Sequence, residues 1–309
     1  TGMLRPIILP SFIGVAGSPT GNVASMTNKG VELELGFHKK ISEVDFRFNG
    51  NVSYLKNEIT DLGTVEYTTG AGFQSSDYEL SRNIVGNPIG SFYGFEVLGI
   101  FQSTAEVNFY KDEEGNKIQP NAKPGDFKFA DLDGDGKITA DDRKVIGDPT
   151  PTWTYGFTTT ANYKGFDLLI FGQGAAGNEV YNALRRLDIV GANWTSDALG
   201  RWTEEGSSDF YPRLVLGDPN KNFSSPSSFY LTSGSYFRIK TLQIGYTLPR
   251  KLVEKIGLQQ LRFYVSANNL LTLTAYTGFD PEIGGGSYGI DRGVYPQAKS
   301  FLAGISVSF

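Results

Sequence analysis

The sequence predicts an all-β, antiparallel fold of the transmembrane-barrel kind, and three observations carry that expectation. In residues 300–309, Phe301, Ala303, Ile305, Val307 and Phe309 alternate with Ser300, Leu302, Gly304, Ser306 and Ser308. Alternation puts one set on each face of a strand, here an apolar face and a mostly small or polar one. In residues 45–55, Phe46, Phe48, Val52 and Tyr54 oppose Asp45, Arg47, Asn49, Asn51 and Ser53. That second face carries both signs of charge, too polar for a packed core and natural for a wet lumen. Third, short and long connections alternate along the chain, as in membrane barrels with tight periplasmic turns and long outer loops. The last strand alone does not choose: a soluble barrel buries its apolar face, whereas a membrane barrel turns it to lipid.

Composition narrows the classes. Of 309 residues, 13% are aromatic and 38 are glycine, a mixture that suits strands and tight turns better than helices. The formal charge of −5 excludes a general basic footprint for nucleic acid. The chain has no cysteine, which excludes disulfides, thiolate metal sites and a cysteine nucleophile. No run approaches the roughly 20 apolar residues of a spanning helix, whereas a barrel strand needs only about 9–11. The start, TGMLRPIILP, lacks the basic region, apolar core and cleavage site of a signal peptide, so a mature or truncated piece is expected.

In order, residues 3–9 read as a short strand and 11–29, rich in Gly, Ser, Pro and Asn, as loop. Val31, Leu33, Leu35 and Phe37 alternate with Glu32, Glu34, Gly36 and His38, a strand that turns at 39–43 into the strand at 45–55. Residues 57–77 read as a polar loop. Residues 78–85 and 91–102 read as strands around the turn at 86–90, and 103–150 as a long charged loop. Residues 152–163 and 166–172 form a hairpin around Lys164 and Gly165. Residues 174–234 are mostly loop, with a short helix at 179–187. In 235–248 the apolar phase slips near Thr241, from Phe237 and Ile239 to Leu242, Ile244 and Tyr246, which predicts a β-bulge. Residues 249–259 form a short charged helical turn. Strands at 261–271 and 300–309 flank a Gly-rich loop. The count is about ten strands, and strand parity then puts Phe309 at the periplasmic end.

The sharpest motif is DLDGDGKITADD at 131–142. An EF-hand loop places oxygen ligands at its positions 1, 3, 5, 7, 9 and 12, with Gly at 6. Here these are Asp131, Asp133, Asp135, the Lys137 carbonyl, Thr139 and Asp142, with Gly136 at the sharp turn. Asp replaces the usual bidentate Glu at position 12, as in dockerin-type calcium loops. The expected occupant is a structural Ca²⁺, with Mg²⁺ as the alternative; the bland reading is a solvated acidic turn. No organic cofactor is expected. Gly172, Gly174 and Gly177 match G-x-G-x-x-G, with Asp188 downstream, yet the fingerprint needs a parallel βαβ unit and the neighbours are hairpins. Ser287 lies in G-x-S-x-G without the strand and helix of a nucleophile elbow. His38, the one histidine, reads as a lumen residue bonded to its neighbours. No enzyme is expected. Strand-end aromatics Tyr54, Trp153, Tyr155, Tyr163, Phe166, Tyr246 and Phe309 suit interface girdles. Loop aromatics Trp194, Trp202, Tyr211, Tyr276, Phe279 and Tyr288 are candidates to stack on a substrate or, equally, to pack the loops.

Five segments in order carry a resemblance: NKGVELELGF (28–37), PIGSFYGFEVLGIFQS (88–103), PGDFKFADLDGDGKITADDRKVIGDPTPTW (124–153), SYFRIKTLQIGYTLP (235–249) and LRFYVSANNLLTLTAYTGFDPE (261–282). Together they resemble the C-terminal part of SusC/RagA-type TonB-dependent outer-membrane transporters, over essentially residues 1–309. The resemblance implies a 22-stranded barrel with a plug, TonB-driven import of glycans or peptides, and a SusD-like surface lipoprotein as lid, all in the bacterial outer membrane. It also matches the family's cation loop to residues 131–142. A plug, a TonB box and the first half of the barrel are not found in these residues. An isolated half-barrel would bare two strand edges to lipid, so the expectation is a fragment, or one chain of a barrel whose remainder is separate. The rival reading is a secreted, calcium-dependent glycan-binding or adhesion β-protein. A soluble sandwich would show charge on its outward faces, and the faces of Phe46, Phe48, Val52, Tyr54 and of Phe301, Ile305, Val307, Phe309 carry none.

Overall fold

A computed structural model describes residues 2–6, 19–73, 75–186, 189, 191–283 and 288–309. An eight-stranded antiparallel sheet runs in chain order through Met3–Pro6, Thr20–Ile41, Val44–Asp61, Trp153–Tyr163, Phe166–Ala176, Tyr236–Thr247, Gln260–Thr274 and Ser300–Ser308. Each strand pairs with its chain neighbour in this series. Tight connections at 42–43, 164–165 and 248–259 lie at one end, and long ones at 62–152, 177–235 and 275–299 at the other. The turn Lys164-Gly165 has φ of +47° and +87°, the left-handed pair that lets a two-residue hairpin follow strand twist. Residues 250–256 form the expected short helical turn, Arg250–Val253 running into Glu254–Ile256. Among the described residues no helix is long and apolar enough to cross a membrane, which leaves strands untouched as a means of crossing.

Registers give the sheet two unlike faces. Directly opposed residues share a face, and one row runs Phe37, Phe48, Thr159, Ile170, Leu242, Ala267, Phe301 across seven strands. A neighbouring row runs Ile244, Val265, Ala303. Much of this face is bare, with Leu33, Phe37, Val265, Phe301 and Ile305 all at least half exposed. Its ends carry aromatic pairs, Tyr54 with Trp153 at 4.9 Å and Phe166 with Tyr246 at 4.5 Å. The reverse face presents Glu34, Asn51, Gln173, Arg238 and Thr272 in paired positions. There Arg262 grips Asp167 with two bonds of 2.9 and 2.5 Å. Gly245 lies between them, and a Cβ on it would come within 2.5 Å of both side chains. His38 accepts or donates one bond with Asp45 at 3.2 Å on this face.

The expected bulge is present. Thr241 and Ile239 pair with the adjacent residues Phe171 and Gly172, leaving Lys240 as the extra residue. Without it Leu242, Ile244 and Tyr246 would turn to the polar face, because strand side chains repeat every two residues.

Other expectations are corrected. Residues 78–85 and 91–102 are not strands of the large sheet. Arg82–Ile84 pairs with Tyr67–Thr69, Phe92–Phe95 with Arg143–Gly147, and Val97–Ile100 with Phe127–Phe129, all in two-stranded sheets within the 62–152 connection. Three or four residues cannot span a bilayer, and Phe92 and Phe127 are buried in loop cores. The large sheet therefore has eight strands rather than about ten. Residues 20–29 and 57–61, read as loop from their polar side chains, instead extend a long ladder from Ser25↔Asp61 to Ile41↔Val44. Backbone pairing compensates for weak strand propensity there. Glu179–Asn182 is a strand, not a helix, paired with Leu231–Ser233. Gly172 and Gly174 lie in an antiparallel strand, so no βαβ unit surrounds them. Leu187, Asp188, Ser287 and most of 11–29 before Thr20 lie outside the described residues.

The long connections build their own cores. One cluster joins Leu80 and Phe92 from the first, Tyr181 and Tyr230 from the second and Ile290 from the third. The bare apolar face is expected to be lipid-facing. Val265→Arg then destabilises by about 2–4 kcal/mol in bilayers, while Ser266→Arg, one residue on and on the opposite face, changes little. Chemical unfolding in liposomes compares the two.

Candidate functional site

The acidic loop is built from its own carboxylates. Asp131 accepts from the Gly134 and Gly136 amides at 2.8 and 3.0 Å, Asp133 from Asp135 N–H at 3.1 Å, and Asp135 from Lys137 N–H at 2.9 Å. Short acidic side chains favour such local turns. Gly136 has φ +78°, and a Cβ there would lie 2.7 Å from Asp112 Oδ2. Asp142 is fully buried, and its two oxygens accept from Leu132 N–H at 2.7 Å and Thr139 N–H at 2.6 Å. Thr139 Oγ1 accepts from Asp141 N–H and so caps the single turn Ala140–Asp142.

This geometry gathers one oxygen each from Asp131, Asp133 and Asp142 within 4.8 Å of one another. An all-oxygen, carboxylate-rich set suits a hard cation such as Ca²⁺, and the donors present fit one. Asp135 lies outside that group of three, and Thr139 Oγ1 already serves as a cap.

The six loop aromatics divide. Tyr211 lines a cavity of about 650 Å³ with Phe210, Phe223, Phe229 and Tyr230. Burial pushes the Tyr211 hydroxyl up to about 12. Trp194 stands edge-on to Phe223 at 4.6 Å, with the Arg185 guanidinium 3.8 Å over its ring. Trp202 donates to Gln102 Oε1 at 2.9 Å and packs beside Ile100, Phe127 and Phe129, a structural role. Tyr276 is buried and donates to Asp291 at 2.5 Å; burial and that carboxylate both push its hydroxyl upward. Phe279 and Tyr288 stay exposed and do not join the others.

Sequence reading missed a buried ion cluster on the polar face. Arg238 bonds Asp280 at 2.6 Å, Glu282 at 2.8 Å and Thr272 at 2.8 Å, and the bulge residue Lys240 reaches Glu282 at 3.2 Å. The cluster fastens connection 275–299 to the sheet. The signal available was weak: two basic residues beside a phase slip, and an acidic pair about forty positions away. Burial raises the Asp280 carboxyl, but the Gln297 amide, Arg238 and the Glu282 amide outweigh it and hold the group below its ordinary 3.8.

With fold and site described, kinship follows. The chain is 36% identical to TonB-dependent receptor P3 of Formosa agariphila, over 99% of its own length and 31% of that protein. It is 25% identical to TonB-dependent receptor SusC of Bacteroides thetaiotaomicron, over 99% of the chain and 29% of SusC. Among solved structures, the RagAB peptide importer in its open-open state superposes with a TM-score of 0.75 at 27% identity, covering 100% of this chain and 31% of that one. No family model matches the chain. Over its whole length the chain is similar to SusC/RagA-type TonB-dependent receptors, and its strands are of the antiparallel kind those barrels use. It spans about a third of the length of these relatives. They are receptors and importers, not enzymes.

Asp142→Ala leaves the Leu132 and Thr139 amides without their acceptor, each a loss of about 1 kcal/mol. Hydrogen exchange should quicken across residues 131–142 while the sheet stays protected. Arg238→Ala strands Asp280 and should destabilise by about 3–5 kcal/mol in denaturant titration. Because the Asp280 carboxyl is held low in the fold, its contribution is full above the ordinary aspartate range and is lost as pH falls through the folded value. Proteolysis of connection 275–299 should therefore begin only in acid.

Proposed function

We propose that the chain is part of a barrel in the bacterial outer membrane that imports oligosaccharides or peptides. In the full-length protein, import is energised through TonB acting on a plug, under a SusD-like lipoprotein lid. One observation carries this reading: the eight-stranded sheet bares an apolar face, keeps a charged and hydrogen-bonding face behind it, and is related over its whole length to importers of this kind. The apolar face meets lipid and the polar face lines the lumen. A secreted adhesion protein would leave Leu33, Leu35, Phe37, Val265 and Ile305 in water, along an apolar row that soluble proteins cover.

Within this reading Tyr211 meets substrate in the aromatic cavity and Trp194, packed on the cavity residue Phe223, meets it alongside, whereas Trp202 and Tyr276 hold loops together. Phe279 and Tyr288, exposed on the third long connection, serve as outer contacts. A Ca²⁺ ion, or Mg²⁺ in its place, is held by Asp131, Asp133 and Asp142, with Asp135, the Lys137 carbonyl and Thr139 completing the shell. The ion would neutralise crowded carboxylates and stiffen the loop.

Cells producing the full-length protein should take up a fluorescent oligosaccharide or peptide, and removal of TonB should abolish uptake. Monodisperse behaviour of the purified protein without detergent would refute the membrane reading. For the loop, Asp131→Ala with Asp133→Ala should loosen residues 124–147 to protease without unfolding the sheet, and chelation should do the same. If neither changes cleavage, no structural ion is held there.

A further inference from the structure

Behind the acidic loop lies a second cavity of about 550 Å³, walled by residues of the 62–152 and 177–235 connections. Its lining contains three cations, Lys137, Arg143 and Lys221, and no aspartate or glutamate. That is unexpected in a chain of net charge −5. Elsewhere four basic side chains are matched: Arg213 to Asp126, Arg238 to Asp280, Arg262 to Asp167 and Lys144 to Glu96. Lys137 and Lys221 have no ion-pair partner among the described residues. Arg143 spends one N–H on the Ala140 carbonyl at 3.3 Å and leans toward the Tyr93 ring.

The walls are held rigid. On one side, residues 137–140 are the second half of the acidic loop, fixed by the bond from Thr139 N–H to Asp142. On the other, Lys221 sits at φ +57° in a turn tied by Asp218, whose carboxylate accepts from the amides of Asn222, Phe223 and Ser224 at 2.8–2.9 Å. The floor is set by Gln119 and Asn220, which bond each other at 3.0 Å and both donate to the Phe127 carbonyl. Phe95, Phe129 and Ile138 add apolar wall. Fixed walls with unmatched cations focus positive potential into the cavity. Apolar wall beside it calls for a ligand with an uncharged body.

We propose that this cavity binds a small organic carboxylate, its acid group between Lys137, Arg143 and Lys221 and its body against Phe95, Phe129 and Ile138. The carboxylate can come from a peptide C-terminus or from an acidic sugar; the recognising chemistry is the same. This site does not rest on the import reading, since it is tested by binding to purified protein and not by uptake.

The test titrates the full-length protein in detergent with two matched pairs of probes, by calorimetry. N-benzoylglycine is set against its uncharged amide, and 4-nitrophenyl glucuronide against 4-nitrophenyl glucoside. At least one acid should bind about tenfold or more tighter than its neutral twin, and more weakly as salt rises. Which acid binds tells peptide-like from sugar-like ligands. Lys137→Gln with Lys221→Gln should lower the affinity about tenfold and flatten the salt dependence. Both lysines are exposed, so the double variant should keep the wild-type melting temperature. Failure of both acids to bind, equal binding of a neutral twin, or unchanged affinity in the double variant each overturns the site.

Discussion

Everything in this chain hangs on side-chain phase within one hydrogen-bonded ladder. A strand repeats every two residues, so a slip of one moves its whole apolar set to the wrong face. The constraint acts across eight strands at once, from Met3–Pro6 to Ser300–Ser308. Between Ile239 and Thr241 the phase would be lost, and Lys240, an extra residue opposite Phe171 and Gly172, restores it. The same bulge sends Lys240 toward Glu282, so a register correction also supplies a charge for fastening a loop. At Gly245 the absence of a side chain lets Arg262 and Asp167 meet across the intervening strand. Small local choices serve the pairing and the polar face together.

Above the ladder, the long connections behave as folded structure. Their strands are short and their cores are aromatic: Phe127, Phe223, Phe229, Tyr230 and Tyr211 form a linked set of ring contacts. Residues from three connections share the cluster around Phe92 and Tyr181. Buried charge is matched by an ion pair at two places where a loop meets the sheet or another loop, Asp126 with Arg213 and Asp280 with Arg238. Removing one partner from such a pair is more damaging than never having had the pair, because the survivor stays desolvated. This fixes where the loops sit over the polar face.

The acidic loop divides charge between its two sides. Its first half gathers carboxylates, its second half lends Lys137 and the backbone through Ala140 to the wall of the cationic cavity. Asp142 joins the two by accepting amides from both halves, Leu132 and Thr139. A change on one side therefore has a short mechanical route to the other.

Strand class, the two faces, the bulge and the composition of the acidic loop follow from local patterns along the chain. Each of these is local: alternation, a phase slip and turn-forming Asp and Gly at fixed spacing are readable without knowing partners. The spacing of Asp131, Asp133 and Asp142 was legible, and their approach within 4.8 Å agrees with it. Which alternating segments join the large sheet was decided only by tertiary structure. Phe92–Phe95 and Val97–Ile100 are as apolar and aromatic as a spanning strand, yet they pair with Arg143–Gly147 and Phe127–Phe129 inside a connection. The roles of the loop aromatics were equally hidden, for Tyr276 and Tyr211 differ in what folds around them, not in their own neighbours along the chain. The same holds for Arg238 with Asp280 and for Lys137 with Lys221. Their positions lie 42 residues apart in the first case, and in the second they come from different long connections. Alternation fixes which way a side chain faces along its own strand; it carries no information about the distant loop that folds down to meet it.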